Sequence, residues 1–270
     1  MVVLLTLCFL GLLGNGKVIW ILGFHMKTNS FSIYVLNLAV ADSGVLIMEV
    51  LVQIIQIHNL NDFTAYYIFS LLYFVLYNVS QFLLLSISVD RCVSVLFPIW
   101  HQCHWSPKLS LIVCVITWVL PFVYFALEMV IIFSEPFLLF QLIFNGLISY
   151  PVVVISSLIL LVRIFFKRRQ QKRKRVLTVI LLSLMCFIVF RLPLSIYSII
   201  NYSFEHMIIL AMLSDICIVV NSGINPILYF LAGRNKEDRS RVSMNLALCR
   251  VFRNEEDIKK EENEPDETQL

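Results

Sequence analysis

Apolar residues fall into seven long stretches along this chain, and short polar connections separate one stretch from the next. Each stretch has close to the ~20 residues that a helix needs to cross ~30 Å of hydrocarbon. The pattern therefore predicts an all-α membrane protein in which residues 1–233 form a bundle of seven transmembrane helices. The predicted spans are 1–24, 31–57, 65–89, 109–132, 138–162, 176–200 and 207–231.

The basic residues lie almost entirely on one side of these spans. Of the 21 Lys and Arg residues, all except Lys17 and Arg191 fall in the first, third or fifth connection or after the last span. Cytoplasmic connections of membrane proteins carry an excess of Lys and Arg. We therefore expect an extracellular N-terminus and a cytoplasmic C-terminus. Hydrophobic residues make up 59% of the chain, above the ~45–50% of soluble proteins, which agrees with this topology.

Each span also contains, or ends directly before, a polar, charged or helix-bending feature. Polar side chains are costly in a bilayer and therefore face the interior of a bundle. In chain order the features are Gly14-Asn15, Asn37 to Asp42, Asp90-Arg91-Cys92, Trp118, Pro151, Pro193 and Asn225-Pro226-Ile227-Leu228-Tyr229. One of them alone would be a weak signal. All seven in this order resemble the rhodopsin-like (class A) G-protein-coupled receptors, and the resemblance covers essentially the whole span region.

The end of the third span is similar to one subfamily of these receptors. Residues 88–100 have the sequence SVDRCVSVLFPIW, and Mas-related receptors typically carry Glu-Arg-Cys followed by Leu-Ser-Val-x-x-Pro-Ile-Trp. Phe31-Ser32-Ile33-Tyr34 and the lack of a cysteine at the start of the third span fit the same subfamily. The resemblance implies a plasma-membrane receptor, not an enzyme, that binds an extracellular ligand and activates heterotrimeric G proteins.

The resemblance also implies a sodium pocket in the middle of the bundle. The matching positions are Asp42, Ser80, Asn221, Ser222 and Asn225. Oxygen ligands that include one carboxylate suit a hard cation such as Na⁺. The alternative is a hydrogen-bonded polar core that holds no ion. We expect no other cofactor and no further metal site.

Arg91 is the residue that we expect to couple the receptor to a G protein. It follows Ser80 by eleven residues, or three helical turns, so both side chains face the bundle interior. Neighbouring Asp90 can pair with it in a resting state, and the resemblance implies that activation releases the arginine. The remaining activation residues would be Pro193, Pro226 and Tyr229. The alternative for Arg91 is an interfacial side chain that snorkels to the membrane surface.

Acidic residues on three spans predict the chemistry of the ligand. Glu49 follows Asp42 by seven residues, on the same helix face and ~10 Å further out. Asp215 precedes Ser222 by seven residues in the same way. Glu128 matches the position of a glutamate with which Mas-related receptors commonly bind cationic ligands. We therefore expect a cationic peptide or amine as ligand.

Two residues limit this match. Arg191 stands where most class A receptors have a tryptophan, and we expect it to pair with one of the acids and to form part of the ligand site. Leu139 stands where some Mas-related receptors use a second acid. The alternative is that the acids stay protonated or satisfy their neighbours without any ligand.

The cytoplasmic segments predict lipid and protein contacts. Residues 163–175 contain eight basic side chains, which between two spans indicate attraction to anionic lipid and not nucleic-acid binding. Residues 234–253 suit an amphipathic helix on the membrane surface, in which Cys249 is either a palmitoylation site or a free thiol. Residues 254–270 are acidic and should be disordered, and their terminal Thr-Gln-Leu can bind a PDZ domain.

The sequence leaves a second hypothesis open. A non-signalling or constitutively active seven-helix protein, such as a partner subunit or a decaying receptor, also accommodates Arg191. A transporter is disfavoured because the chain has no detectable internal repeat. Asn201 begins a glycosylation sequon in the sixth connection. The sequon lies close to the membrane, which disfavours its modification.

Overall fold

The apolar stretches form long helices, because a helix satisfies its own backbone N–H and C=O groups where no water is available. The computed structural model describes residues 2–26, 29–57, 63–131, 148–166 and 208–233, together with 181, 182, 184–186 and 188–190. Its helices are α1 (Val2–Phe24), α2 (Ser30–Ile57), α3 (Phe63–Leu96), α4 (Pro98–His104), α5 (Pro107–Ile131), α6 (Tyr150–Phe166) and α7 (Ile208–Gly233). The described residues between 181 and 190 are also helical, and none of the residues described here forms a strand.

Among the residues that the structure describes, five helices are long and apolar enough to cross a membrane. The qualifying stretches are Val2–Phe24, Ser30–Ile57, Thr64–Leu96, Pro107–Tyr124 and Met212–Leu231, and the shorter apolar stretch Tyr150–Arg163 lies in α6. α3 continues to Leu96, past the predicted span 65–89, and α4 forms within the third connection. Backbone hydrogen bonding continues beyond the hydrocarbon boundary, so a helix is longer than the span inside it.

Polar residues and prolines set the helix ends near Arg91. The Ser32 N–H donates to Asn29 Oδ1 (2.7 Å), and the Asn29 N–H donates to Ser32 Oγ (2.8 Å), which caps the start of α2. Pro98 ends α3, because a residue before proline is disfavoured in the helical conformation. That residue, Phe97, has φ −125° and ψ 65°. The chain turns here, and α4 packs against the end of α3.

α2 and α3 form the centre of the bundle. α2 packs against α1, α3, α5 and α7, and α3 also packs against α4, α5 and α6. The largest apolar core includes the fully buried side chains of Tyr34, Leu38 and Leu83. Large apolar side chains such as Phe9 and Leu111 are exposed on the outside of the bundle, as expected for a surface that faces lipid.

α1 and α7 approach each other closely at small residues. A Cβ atom on Gly11 would lie 3.2 Å from the Cα of Gly223, and a Cβ atom on Gly14 would lie 3.0 Å from the Cβ of Pro226. Both distances are shorter than an ordinary van der Waals contact. Glycine therefore permits the approach, which brings polar groups of α7 against α1.

The bundle has two ends that we name by their charged residues. At the Arg91 end α2 begins and α3 finishes, and at the Glu49 end α2 finishes and α3 begins. Asp42 lies between the two ends on α2.

Candidate functional site

Asp42 joins three helices in the middle of the bundle. Its side chain is fully buried, and Oδ1 accepts a hydrogen bond from the Ser80 hydroxyl (2.7 Å) while Oδ2 accepts one from Asn225 Nδ2 (3.0 Å). The three residues belong to α2, α3 and α7. The structure thus brings together three of the five residues that the sequence places around a sodium ion.

The other two, Asn221 and Ser222, are buried on α7. The Ser222 hydroxyl lies next to Asp42 without a hydrogen bond of standard geometry. Pro226 has no N–H, so it cannot donate to the Ser222 carbonyl four residues earlier. Asn15 Nδ2 donates to that carbonyl instead (2.9 Å). A side chain of α1 therefore satisfies a backbone group that the proline of α7 leaves free.

Two acids and a tyrosine meet between α2, α3 and α7 at the Glu49 end. Glu49 is buried, Asp215 is half-buried, and they are close enough for their charges to interact. The buried Tyr73 hydroxyl lies in the field of both carboxylates and forms no hydrogen bond of standard geometry. Glu49 Oε1 accepts a hydrogen bond from Gln53 Nε2 (2.9 Å). Within the described ranges, no basic side chain forms an ion pair with either acid.

Asp90 and Arg91 form an ion pair at the opposite end. Asp90 is fully buried, and its Oδ2 accepts a hydrogen bond from Arg91 Nε (2.8 Å) and lies 2.6 Å from a terminal guanidinium nitrogen. The guanidinium also lies over the Phe31 ring, 4.3 Å from its centroid, in cation–π geometry. The second oxygen of Asp90, Oδ1, is 3.1 Å from His101 Nε2. The arginine is thus held by α3 itself and by α2.

Trp118 and Asn37 connect α5 to α2. Trp118 Nε1 donates to Asn37 Oδ1 (3.0 Å), and Asn37 Nδ2 donates to the Ile33 carbonyl (2.8 Å). The side-chain amide of Asn37 therefore acts both as a hydrogen-bond acceptor and as a donor. This contact fixes the position of α5, the helix that contains Glu128, relative to the centre of the bundle.

The helices and their polar residues match a known family. The sequence profile of the 7 transmembrane receptor (rhodopsin family) matches residues 14–138. Mas-related G-protein coupled receptor member H of Rattus norvegicus is 33% identical over 277 residues, which cover 96% of this chain and 85% of that protein. Member D of Homo sapiens is 34% identical over 273 residues, which cover 93% and 84%. This chain belongs to the Mas-related G-protein-coupled receptors.

The chain is also similar to a protein that carries the name Mas. Proto-oncogene Mas of Rattus norvegicus is 28% identical over 278 residues, which cover 96% of this receptor and 85% of that protein. The predicted family and helical fold class are confirmed, and the chain is a receptor and not an enzyme. This Mas-related receptor is a multi-pass protein of the plasma membrane.

Some residues predicted for this receptor lie outside the described part. Glu128 falls within α5, but its side chain is not among those described. Predictions that lie wholly outside the described residues are those for Arg191, Pro193, Leu139, Asn201, Cys249 and residues 234–270. Pro226 and Tyr229 are described, and both are buried in α7.

Four residues contact the receptor's polar sites in roles that the sequence did not predict. Gln53 lies four residues after Glu49, and this helical spacing gave a usable signal. Tyr73 and Phe31 are apolar enough to resemble ordinary core residues. His101 gives no signal, because its contact with Asp90 depends on the direction that the chain takes after α3.

Proposed function

We propose that this receptor binds a cationic peptide or amine at the Glu49 end and activates a heterotrimeric G protein at the Arg91 end. The proposal rests first on the meeting of Glu49 and Asp215 between α2, α3 and α7. A site that contains two acidic side chains favours a positively charged ligand. The receptor would lie with its N-terminus outside the cell, as the distribution of Lys and Arg indicates.

Electrostatics favour a cation over an anion or a neutral lipid. Two carboxylates that share a poorly solvated site repel each other, so a site that holds both without a cation is unfavourable. A ligand ammonium or guanidinium group offsets this repulsion and supplies hydrogen-bond donors to both acids. Tyr73 contributes a buried hydroxyl that can bond to the same ligand group. Gln53 is already bonded to Glu49 and orients that carboxylate.

A basic residue of the chain itself can compete with the ligand for these acids. Arg191 is predicted to pair with Glu49, Glu128 or Asp215, which leaves two of the three acids for a ligand cation. The ligand would then displace or extend an existing ion pair. The affinity of the receptor for the ligand should depend more on how many of the three acids are present than on which of them is present.

We propose a sodium ion as the partner of Asp42. The residues that would hold it are Asp42, Ser80, Asn221, Ser222 and Asn225. The Ser222 hydroxyl beside Asp42 has no standard hydrogen bond, and this buried oxygen fits a further cation ligand. The ion would neutralise the buried carboxylate. Ser80 and Asn225 set the orientation of the Asp42 carboxylate, since its two oxygens already accept hydrogen bonds from these residues.

On the cytoplasmic side we propose that Arg91 leaves Asp90 on activation and contacts the G protein. The ion pair and the Phe31 ring would stabilise the resting arrangement. The basic segment 163–175 would bind anionic lipid nearby, and the terminal Thr-Gln-Leu would bind a PDZ domain.

The experiment is G-protein activation in cells that express the full chain, with surface expression recorded, against a panel of cationic peptides and amines. We expect responders among these compounds, and we expect Glu49→Gln and Asp215→Asn each to weaken the response. Asp215→Glu is the matched control, because it keeps the charge and should keep most of the response. Equal potency in wild type and in the neutral variants would disprove the cation site.

A further inference from the structure

α4 places a histidine against the carboxylate that holds Arg91. His101 Nε2 lies 3.1 Å from Asp90 Oδ1, while Arg91 binds only the other oxygen, Oδ2. The carboxylate is fully buried, and its rotation sets which of its two oxygens faces Arg91. An ionised carboxylate accepts hydrogen bonds and cannot donate them, which means that His101 donates from Nε2. Both the Nε2-protonated neutral ring and the charged ring provide this proton.

Contacts within and next to α4 restrict the movement of the His101 ring. The His101 N–H donates to the Phe97 carbonyl (2.9 Å), and the Trp105 N–H donates to the His101 carbonyl (2.9 Å). The rings of His101 and Trp105 are stacked, with centroids 5.4 Å apart and planes at 14°. A ring fixed in this way presents Nε2 to Asp90 with little freedom to turn, so the bond also ties α4 to α3.

We propose that His101 is a positioning residue for Arg91: it fixes the Asp90 carboxylate in the rotation that grips the arginine. This inference rests on the proposed role of Arg91 in G-protein coupling. Without the donor on Oδ1, the carboxylate turns more freely and its hold on Arg91 weakens. The resting state then loses part of its advantage, and the receptor activates G protein more often without ligand. A G protein that moves α4 would weaken the same grip.

The chain offers a matched control in the same short helix. His104 stacks on Trp100 with centroids 5.1 Å apart and planes at 12°, much as His101 stacks on Trp105. Its Nδ1 lies 3.2 Å from the Trp100 carbonyl oxygen, and its ring does not contact Asp90. His104→Phe therefore repeats the loss of a stacked imidazole in α4 without touching the carboxylate.

The test uses the purified full-length receptor in lipid nanodiscs and measures ligand-free nucleotide exchange on added G-protein heterotrimers of each main class. We expect His101→Phe, which keeps a ring beside Trp105 but has no donor, to raise the basal rate about three- to tenfold, the range of one net hydrogen bond. His101→Gln keeps an amide donor near the position of Nε2 and should stay near the wild-type rate. His104→Phe should also match wild type.

A double mutant separates positioning from simple packing. In an Asp90→Asn background His101→Phe should add nothing, because the carboxylate through which it acts is gone. Equal effects of His101→Phe with and without Asp90, or equal rates for His101→Phe, His104→Phe and wild type, would overturn the inference. Arg91→Ala marks the boundary with the proposed function. If it removes the basal exchange, G-protein coupling stands whatever His101 does; if it leaves the rate unchanged, coupling through Arg91 fails and this inference fails with it.

Discussion

The two ends of the bundle bury acidic groups in opposite ways. At the Arg91 end one carboxylate, Asp90, has an arginine on one oxygen and a histidine on the other. At the Glu49 end two carboxylates are close enough for their charges to interact, and no basic group in the described ranges is paired with either. Buried charge is costly unless it is paired and hydrogen-bonded. Under the proposed function, the first site would work by the opening of its ion pair, whereas the second would work by the binding of a cation.

The largest expected effect comes from removing the charge that completes the first site. Arg91→Ala should reduce ligand-stimulated G-protein activation to background, because the group proposed to meet the G protein is gone. Surface expression must be recorded, since loss of the arginine leaves the buried Asp90 carboxylate with His101 as its remaining partner. The measurement is G-protein activation normalised to surface receptor. Undiminished activation by Arg91→Ala would show that the two ends do not differ in the proposed way.

The second site should respond to loss of charge in proportion to the charge removed. We expect the double variant Glu49→Gln, Asp215→Asn to reduce the potency of a cationic agonist by about 30-fold or more, as for other buried charge pairs that lose their partners. Each single change should have a smaller effect. The measurement is a dose–response curve for the same agonist on all three variants. A neutral agonist should lose much less potency, and a uniform loss for both kinds of ligand would point to misfolding.

Asp42 lies between the two ends, and its variant tests whether they communicate. Replacing sodium by potassium at constant ionic strength should raise agonist potency a few-fold in wild type, if a sodium ion neutralises Asp42 in the resting state. Asp42→Asn should remove this difference, because an amide does not supply the charge that a hard cation needs. The assay is agonist binding to membranes in the two salts. Retention of the full sodium effect in the variant would rule out Asp42 as the sodium ligand.

The smallest expected effect belongs to a contact that touches neither end. Trp118→Phe removes the hydrogen bond to Asn37 but keeps an aromatic ring. We expect a loss of about 1 kcal/mol in the free energy of unfolding, which for a chain of this size lowers the melting temperature by about 2–4 °C. Thermal unfolding of the purified receptor measures it. Agonist potency should stay within twofold, roughly the resolution of the assay, and a large change in potency would link α5 to the ligand site directly.

The sequence predicts the middle of the bundle better than its ends. The family resemblance places Asp42, Ser80 and Asn225 together, and the structure joins them by hydrogen bonds. The seven-residue offsets of Glu49 and Asp215 also predict that these acids approach each other. Helical periodicity is sufficient here, because straight neighbouring helices preserve the order of residues along their axes.

Periodicity fails where the chain leaves a helix or where a residue serves two purposes. His101 reaches Asp90 only because Pro98 ends α3 and the chain turns into α4. Helical periodicity does not predict the direction of that turn. Tyr73 has the side chain of an ordinary core residue, and only its position between two acids gives its hydroxyl a role. Both are consequences of tertiary packing, which a single sequence does not encode locally.

The bond from Asn15 to the Ser222 carbonyl has a consequence for how this membrane protein is assembled. A proline in a helix leaves a backbone carbonyl without its hydrogen-bond donor, and a hydrocarbon environment has no water to supply one. α1, the first segment described, thus carries the hydrogen-bond donor that α7 needs. A substitute first segment made of leucine would insert equally well and yet leave that acceptor open. Separately expressed halves should therefore complement one another only when the half with the first segment retains its asparagine.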